Sequence, residues 1–358
     1  MGRQWILNSQ EGFEASLEYQ ENVLVPTADE LGPDEVLVEI HAASLNYREI
    51  MLASPNSTHG PIQAPLVPGC DGAGIVKATG SSVQSLNIGD RVVTYPAPKV
   101  VQYHGDGAYA TISDAPYMLG QGTDGTLRSV GVFPEAALVH APKSLGWLPA
   151  ATLTCNWTTA WNVLFGLEGR AVGPGTWVLV QGTGGVSIAT LQLAIAARAT
   201  VVATTSTEEK RTRLEGLGAV KTVNYRSNPE GWGREARSFT PNERGFDIVV
   251  DIGGNQTLPQ SLEAVRTDGI VSMVGQVADN ADPVSLSAVF MHTCIVRAIL
   301  AGSRSQFREL VRYIDEKGIV PAMDDVVFEL AEVKDAYKRL RDKKHFSKVV
   351  IQVAQYTT

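Results

Sequence analysis

The chain has only three cysteines, Cys70, Cys155 and Cys294, too few and too scattered for a disulfide framework, which suits a reducing compartment. It also lacks any window of the roughly 18 to 20 apolar residues needed to cross a bilayer, and its start, Met1-Gly2-Arg3-Gln4-Trp5, has no apolar signal core. A cytoplasmic protein with no membrane partner is expected. Positive charge is scarce as well: 30 Lys+Arg against 38 Asp+Glu leave a net −8, and neither end carries a basic block, so nucleic acid is excluded as an expected partner. The three Asn-x-Ser/Thr tripeptides at Asn56, Asn156 and Asn255 are read as chance, because glycosylation needs secretion.

Apolar residues are plentiful: 44% of 358 residues is enough for a sizeable core, and the length favours two domains. From Trp5 to about Pro149, short β-branched runs such as Glu35 to Ile40, Gly74-Ile75-Val76 and Asp90 to Val93 are bounded by Gly-Asp and Gly-Pro turns. That texture predicts a twisted, mostly antiparallel β unit. After about Thr152, apolar runs (Trp177 to Val180, Val201 to Thr204, Phe246 to Val250, Gly269 to Val274) alternate with helical patterns. Continuous apolar strands separated by helices are what a parallel sheet covered on both faces requires, so an α/β, doubly wound region is expected. The tail returns to an amphipathic helix over Ser305 to Lys317, a second near Glu332 to Arg341, and a closing strand over 348–353, which most simply rejoin the β unit. The expected domains are 1–152 with 303–358, and 153–302.

The segment Val178-Leu179-Val180-Gln181-Gly182-Thr183-Gly184-Gly185-Val186-Ser187 places glycines directly after a buried strand and before a helix. Glycine permits the tight turn and lets the backbone approach a pyrophosphate, whose charge then sits at the helix N-terminus. Gly182 and Gly184 hold the first two fingerprint positions and Ser187 the third, with Thr183, Gly185 and Val186 in the same loop. About 20 residues on, an NAD site usually carries an acid for the ribose 2′-OH; here Val202-Ala203-Thr204-Thr205-Ser206-Thr207 has none. Ser206, Lys210 and Tyr225, the last followed by Arg226, suit a 2′-phosphate instead, and NADPH is the expected cofactor. The competing reading turns Glu208 or Glu209 back to the ribose and selects NAD.

These residues resemble the medium-chain dehydrogenase/reductase superfamily, specifically its zinc-independent, quinone-oxidoreductase-like branch. The similarity runs through Ala43 to Glu49, Val67 to Gly74, Asn87 to Val92, Thr158 to Trp161, Gly182 to Ser187 and His345 to Val350. It implies a GroES-like catalytic domain completed by the tail, a Rossmann domain inserted in it, and an active site in the cleft. Zinc-dependent relatives hold the catalytic metal with Cys, His and Cys. Here Asn46 stands in place of the first Cys, Cys70 in place of the His, and only Cys155 matches, so no zinc is expected. A two-thiolate site of Cys70 and Cys155 with Asp71 or His59 is the alternative.

The resemblance further places Gly275 and Gln276 near the nicotinamide ribose, Ser303 and Arg304 at the nucleotide cleft, and Lys348 beside the cofactor phosphates. Asn46 and Tyr47 are the expected catalytic donors, Asn46 to a carbonyl or ribose and Tyr47 as a proton source. A loop-capping amide and a partly buried ring are the plainer accounts of the two. Arg48, His59, Tyr95 and Tyr103 are the expected substrate contacts around the mouth. The function expected is NADPH-dependent reduction of an activated C=C or C=O bond in a small molecule. Alternatives are an alcohol dehydrogenase or carbonyl reductase, and a non-redox enzyme or binding protein that keeps the nucleotide structurally. A homodimer joined through the apolar run Val289 to Val296 is also expected, with burial of that run inside the monomer an equally good account.

Overall fold

The computed structural model describes residues 1–276 and 282–354. It divides into two compact units, residues 1–158 with 303–358, and residues 159–302. The first unit thus continues through Thr158, beyond the change of texture at Thr152.

In the first unit the long strand Glu35–Leu45 is the hub. It pairs antiparallel with Asp71–Thr79, Val130–Pro134 and the tail strand Val349–Gln352, whose Val349 lies opposite Leu45. Strands Arg91–Thr94, Leu138–His140 and Val327–Glu329 extend this mixed sheet. The tail rejoins because it is apolar on both faces of the strand: Val349, Val350 and Ile351 are all fully buried. Helix Arg304–Lys317 starts on a capping box in which the Ser303 hydroxyl accepts from the Gln306 amide, and ends on Gly318 in the left-handed conformation.

The second unit is a six-stranded parallel sheet. Its order is Lys221–Asn224, Thr200–Thr205, Trp177–Val180, Phe246–Asp251, Val265–Met273 and Ile295–Ala298. The chain order reverses between Trp177–Val180 and Phe246–Asp251. The crevice at such a switch point, beyond the carboxyl ends of the strands, is where doubly wound sheets take nucleotides. No helix among the described residues is long and apolar enough to cross a membrane.

Candidate functional site

The second unit builds the nucleotide side. Val178, Leu179 and Val180 are fully buried, and the chain leaves the sheet at Gly182. Gly182 has φ of +70°, a conformation that side chains resist, and its amide donates to both the carbonyl and the hydroxyl oxygen of Thr204 at 3.1 Å. Gly184 caps helix Gly185–Ala196, and a Cβ built there would meet no atom within 4 Å. The space beside Gly184 at the start of that twelve-residue helix is therefore open, and the turn fits a pyrophosphate at the helix N-terminus. The Ser187 hydroxyl donates to the Gln181 carbonyl at 2.6 Å, tying helix to strand where only a small residue fits.

A residue the sequence reading missed holds this turn. Asp251, wholly buried at the end of the neighbouring strand, accepts from the amides of Gly253 and Gly254 at 3.2 and 2.9 Å, and from the hydroxyls of Thr257 and Ser261. Oδ1 holds the two glycine amides and Thr257, while Oδ2, which takes the Ser261 hydroxyl, also accepts from the Gln181 side-chain amide at 3.3 Å, and the Ile252 amide donates back to Gln181 Oε1 at 3.2 Å. The signal available in the sequence was an acid at the end of a buried strand, followed closely by paired glycines, at Asp251-Ile252-Gly253-Gly254.

The structure gathers most of the expected cofactor residues on this same edge. Thr205 lies opposite Asn224, so Ser206 and Tyr225 leave adjacent strands side by side, and the Tyr225 amide donates to the Thr205 carbonyl at 3.1 Å. Lys210 is in the first turn of helix Glu208–Gly216, whose cap Thr207 accepts from its amide at 3.3 Å. Glu208 is exposed and paired with Arg211 at 3.4 Å, a first-turn surface arrangement. The amide of Val274 donates to the Asp251 carbonyl, which brings Gly275 and Gln276 alongside; a Cβ on Gly254 would stand 3.2 Å from Gln276.

The first unit builds a buried polar cluster. Asn46 caps helix Tyr47–Leu52, and its amide donates to Glu49 Oε2 at 2.6 Å. Asn46 Nδ2 donates to Cys70 Sγ at 3.6 Å. Asp71, fully buried, accepts from Ser44 Oγ at 3.1 Å, Cys70 Sγ at 3.3 Å and the Cys155 amide at 3.2 Å. A hydrogen bond with the Cys155 thiol, then burial and the nearby Asp71 and Glu49 carboxylates, push the Cys70 thiol well above its ordinary range, so it stays protonated. Burial likewise raises Glu49.

Four expectations need correction here. Lys348 is not beside phosphates: it is 1% exposed, and its ammonium spends three donors on the Leu45 carbonyl, Asn46 Oδ1 and Asp71 Oδ2, the last at 3.0 Å. Asn46 has its carbonyl and one amide hydrogen committed inside the cluster, so it acts as a capping and anchoring residue. Ser303 and Arg304 are also interior. Ser303 is a helix cap, and Arg304 donates to the Leu138 and Glu135 carbonyls and pairs with Asp106 at 2.9 Å, satisfying its guanidinium within the first unit. Tyr95 is 0% exposed in the core, its hydroxyl pKa raised by burial, and forms no rim. Tyr103 needs no such correction: it stands 75% exposed on helix Pro98–His104.

Arg48 and His59 do come together. Arg48 donates to the Leu119 carbonyl and to Gln121 Oε1 at 3.1 and 3.2 Å, and Gln121 Nε2 donates to the His59 carbonyl at 2.7 Å. Burial, reinforced by the Arg48 charge, lowers the His59 pKa below 6.5, so the ring is neutral at pH 7. Tyr47, half-buried, opens the same helix.

For zinc this cluster is a poor fit. Among the described residues no three His, Cys, Asp or Glu side chains converge as a ligand set, and a lysine ammonium already neutralises Asp71 beside the two thiols.

Residues 32–143 match the alcohol dehydrogenase GroES-like domain and residues 185–316 the zinc-binding dehydrogenase domain. A zinc-type alcohol dehydrogenase-like protein of Schizosaccharomyces pombe is 40% identical over 334 residues, covering 90% of this chain and 92% of its own. The chain belongs to the medium-chain dehydrogenase/reductase superfamily. A quinone oxidoreductase-like protein 2 homologue of Nematostella vectensis is 25% identical over 340 residues, 92% of this chain and 84% of that protein. The crystal structure of an NAD-dependent alcohol dehydrogenase superposes with a TM-score of 0.84 at 30% identity, over 98% of this chain and 100% of that one. The superfamily is one of oxidoreductases, and the two units are its GroES-like and Rossmann folds.

Proposed function

We propose that this is a zinc-independent, NADPH-dependent reductase of the cytoplasm that delivers hydride to an activated C=C or C=O bond of a small molecule such as an enone, a quinone or an enoyl-type metabolite. The observation that carries this reading is the Lys348 ammonium fixed between Asn46 and Asp71, which supplies in a buried, hydrogen-bonded form the positive charge a metal would otherwise bring. Polarisation of the acceptor then rests on hydrogen-bond donors. Tyr47 is the proton source and Arg48, held rigid by Leu119 and Gln121, fixes the acceptor beside it, with neutral His59 completing the wall. A bound nicotinamide supplies the hydride. On the other unit, the glycine turn takes the pyrophosphate, Gly275 and Gln276 the ribose, and Ser206, Lys210 and Tyr225 the 2′-phosphate, with no strand-end acid to repel it.

The test is a binding titration of NADPH against NADH, followed by an acceptor panel read by loss of nicotinamide absorbance, with and without chelator. Expected are tighter NADPH binding and turnover of quinones or enones that chelation leaves unchanged. Stoichiometric bound zinc, with alcohol oxidation lost on chelation, would establish instead the second reading suggested by the alcohol dehydrogenase relatives. Tight NADPH binding with no acceptor consumed would favour a structural nucleotide.

The same reading takes the protein as a homodimer joined at the edge strand Ile295–Ala298, which among the described residues pairs on one side only. Above it, Phe290 and Met291 are 81% and 76% exposed on helix Leu286–His292. Light scattering should give twice the chain mass, 38.4 kDa; the mass of one chain would dismiss the interface.

A further inference from the structure

Two thiols in the first unit share a single anchor. Cys70 Sγ donates to Asp71 Oδ1 at 3.3 Å, and the Cys155 amide donates to the same oxygen at 3.2 Å. Cys70 sits just ahead of strand Asp71–Thr79; Cys155 sits in the middle of the π-helical turn Leu153–Trp157. One carboxylate oxygen therefore holds the Cys70 thiol and the Cys155 backbone, which sets the Cys155 side chain close enough to Cys70 to raise its pKa. They differ in access: Cys70 is 1% exposed, whereas Cys155 is only half-buried. Arg48, the second residue of helix Tyr47–Leu52, carries a positive charge that acts on both sulfurs. A cation beside a reachable thiol, with a second thiol in contact behind it, is the arrangement in which a sulfenic acid forms and is then resolved.

The geometry points to Cys70 and Cys155 as a peroxide-reactive dithiol: a modification site that closes to a disulfide on oxidation and reopens on reduction. Cys155, the accessible partner, attacks one oxygen of a hydroperoxide as its thiolate. The O–O bond breaks, Cys155 becomes a sulfenic acid, and water or an alcohol leaves with the displaced proton. Cys70 then attacks the Cys155 sulfur, an S–S bond forms, and the sulfenic hydroxyl leaves as water with the Cys70 proton. The hydroperoxide is reduced by two electrons and the two thiols are oxidised by the same two. Closure removes the Cys70 proton that Asp71 accepts and links the start of strand Asp71–Thr79 to the Leu153–Trp157 turn. The inference requires neither a nucleotide nor an acceptor, so it stands apart from the proposed reductase activity.

The test uses the full chain carrying Cys294→Ser, which leaves the pair as its only thiols. Treated with hydrogen peroxide under native conditions and then titrated for thiols after denaturation, the protein should fall from two thiols to none. Intact mass should drop by two hydrogens, a digest should contain the cross-linked peptides, and dithiothreitol should restore both thiols. Adding Cys70→Ser should halt oxidation at a sulfenic acid on Cys155 that dimedone captures. Adding Cys155→Ser should leave the buried Cys70 thiol unreacted over the same exposure. Mapping the unsubstituted chain gives the same answer should a variant fold poorly. A mass gain of oxygen on Cys155 with Cys70 still titratable, or two thiols that survive the treatment, would overturn the assignment.

Discussion

Lys348→Met is expected to destabilise the first unit by about 3–5 kcal/mol, because it leaves the Asp71 carboxylate buried without its counter-charge. The pair is 3.0 Å apart, with side chains 1% and 0% exposed, so water cannot compensate the lost cation. Urea denaturation followed by circular dichroism measures the loss. Asp71→Asn combined with Lys348→Met removes both charges and should recover most of it, since a buried ion pair contributes far less than the cost of breaking one half. If the single variant proves as stable as the double, the lysine is not the counter-ion this structure makes it.

The second large effect concerns nucleotide choice. Ser206→Asp puts a carboxylate at the end of strand Thr200–Thr205, next to Tyr225, where the proposed 2′-phosphate would dock. Replacing a charge-assisted hydrogen bond with like-charge repulsion should weaken NADPH by roughly 30- to 100-fold, about 2–3 kcal/mol, while NADH binding holds or improves. Calorimetric titration of both nucleotides reads the shift directly. Unchanged preference in this variant and in Lys210→Ala would move the pocket elsewhere and revive the reading in which Glu208 or Glu209 selects NAD.

The architecture was legible in the sequence because it is written in local patterns. The apolar runs at 177–180, 201–204 and 246–250 are buried on both faces of a parallel sheet, and their alternation with helical patterns distinguishes them from the turn-bounded strands of the first unit. The glycine turn was legible for the same reason, since strand, bend and helix follow one another without interruption. What stayed hidden depends on distant partners. Lys348 meets Asp71 from 277 positions away, and a lone lysine in a polar stretch looks like a surface cation until that partner is known. Arg304 meets Glu135 and Leu138 from 169 and 166 positions away, and Tyr95, expected at the mouth, is buried by partners that only folding assembles. Asn46, expected in a loop as a donor to a carbonyl or ribose, starts helix Tyr47–Leu52, and its side chain answers to Cys70 and Lys348, which only folding brings near.

The ring of contacts joining Gln181, Asp251, Ser261 and the Gly253-Gly254 amides has a thermodynamic corollary. A turn clamped at both of its strands has lost its freedom before any nucleotide arrives, so that loss of entropy accompanies folding and is not charged again at each encounter. Binding should therefore show little ordering signature, with association set by diffusion and orientation instead of by a slow rearrangement of the bend.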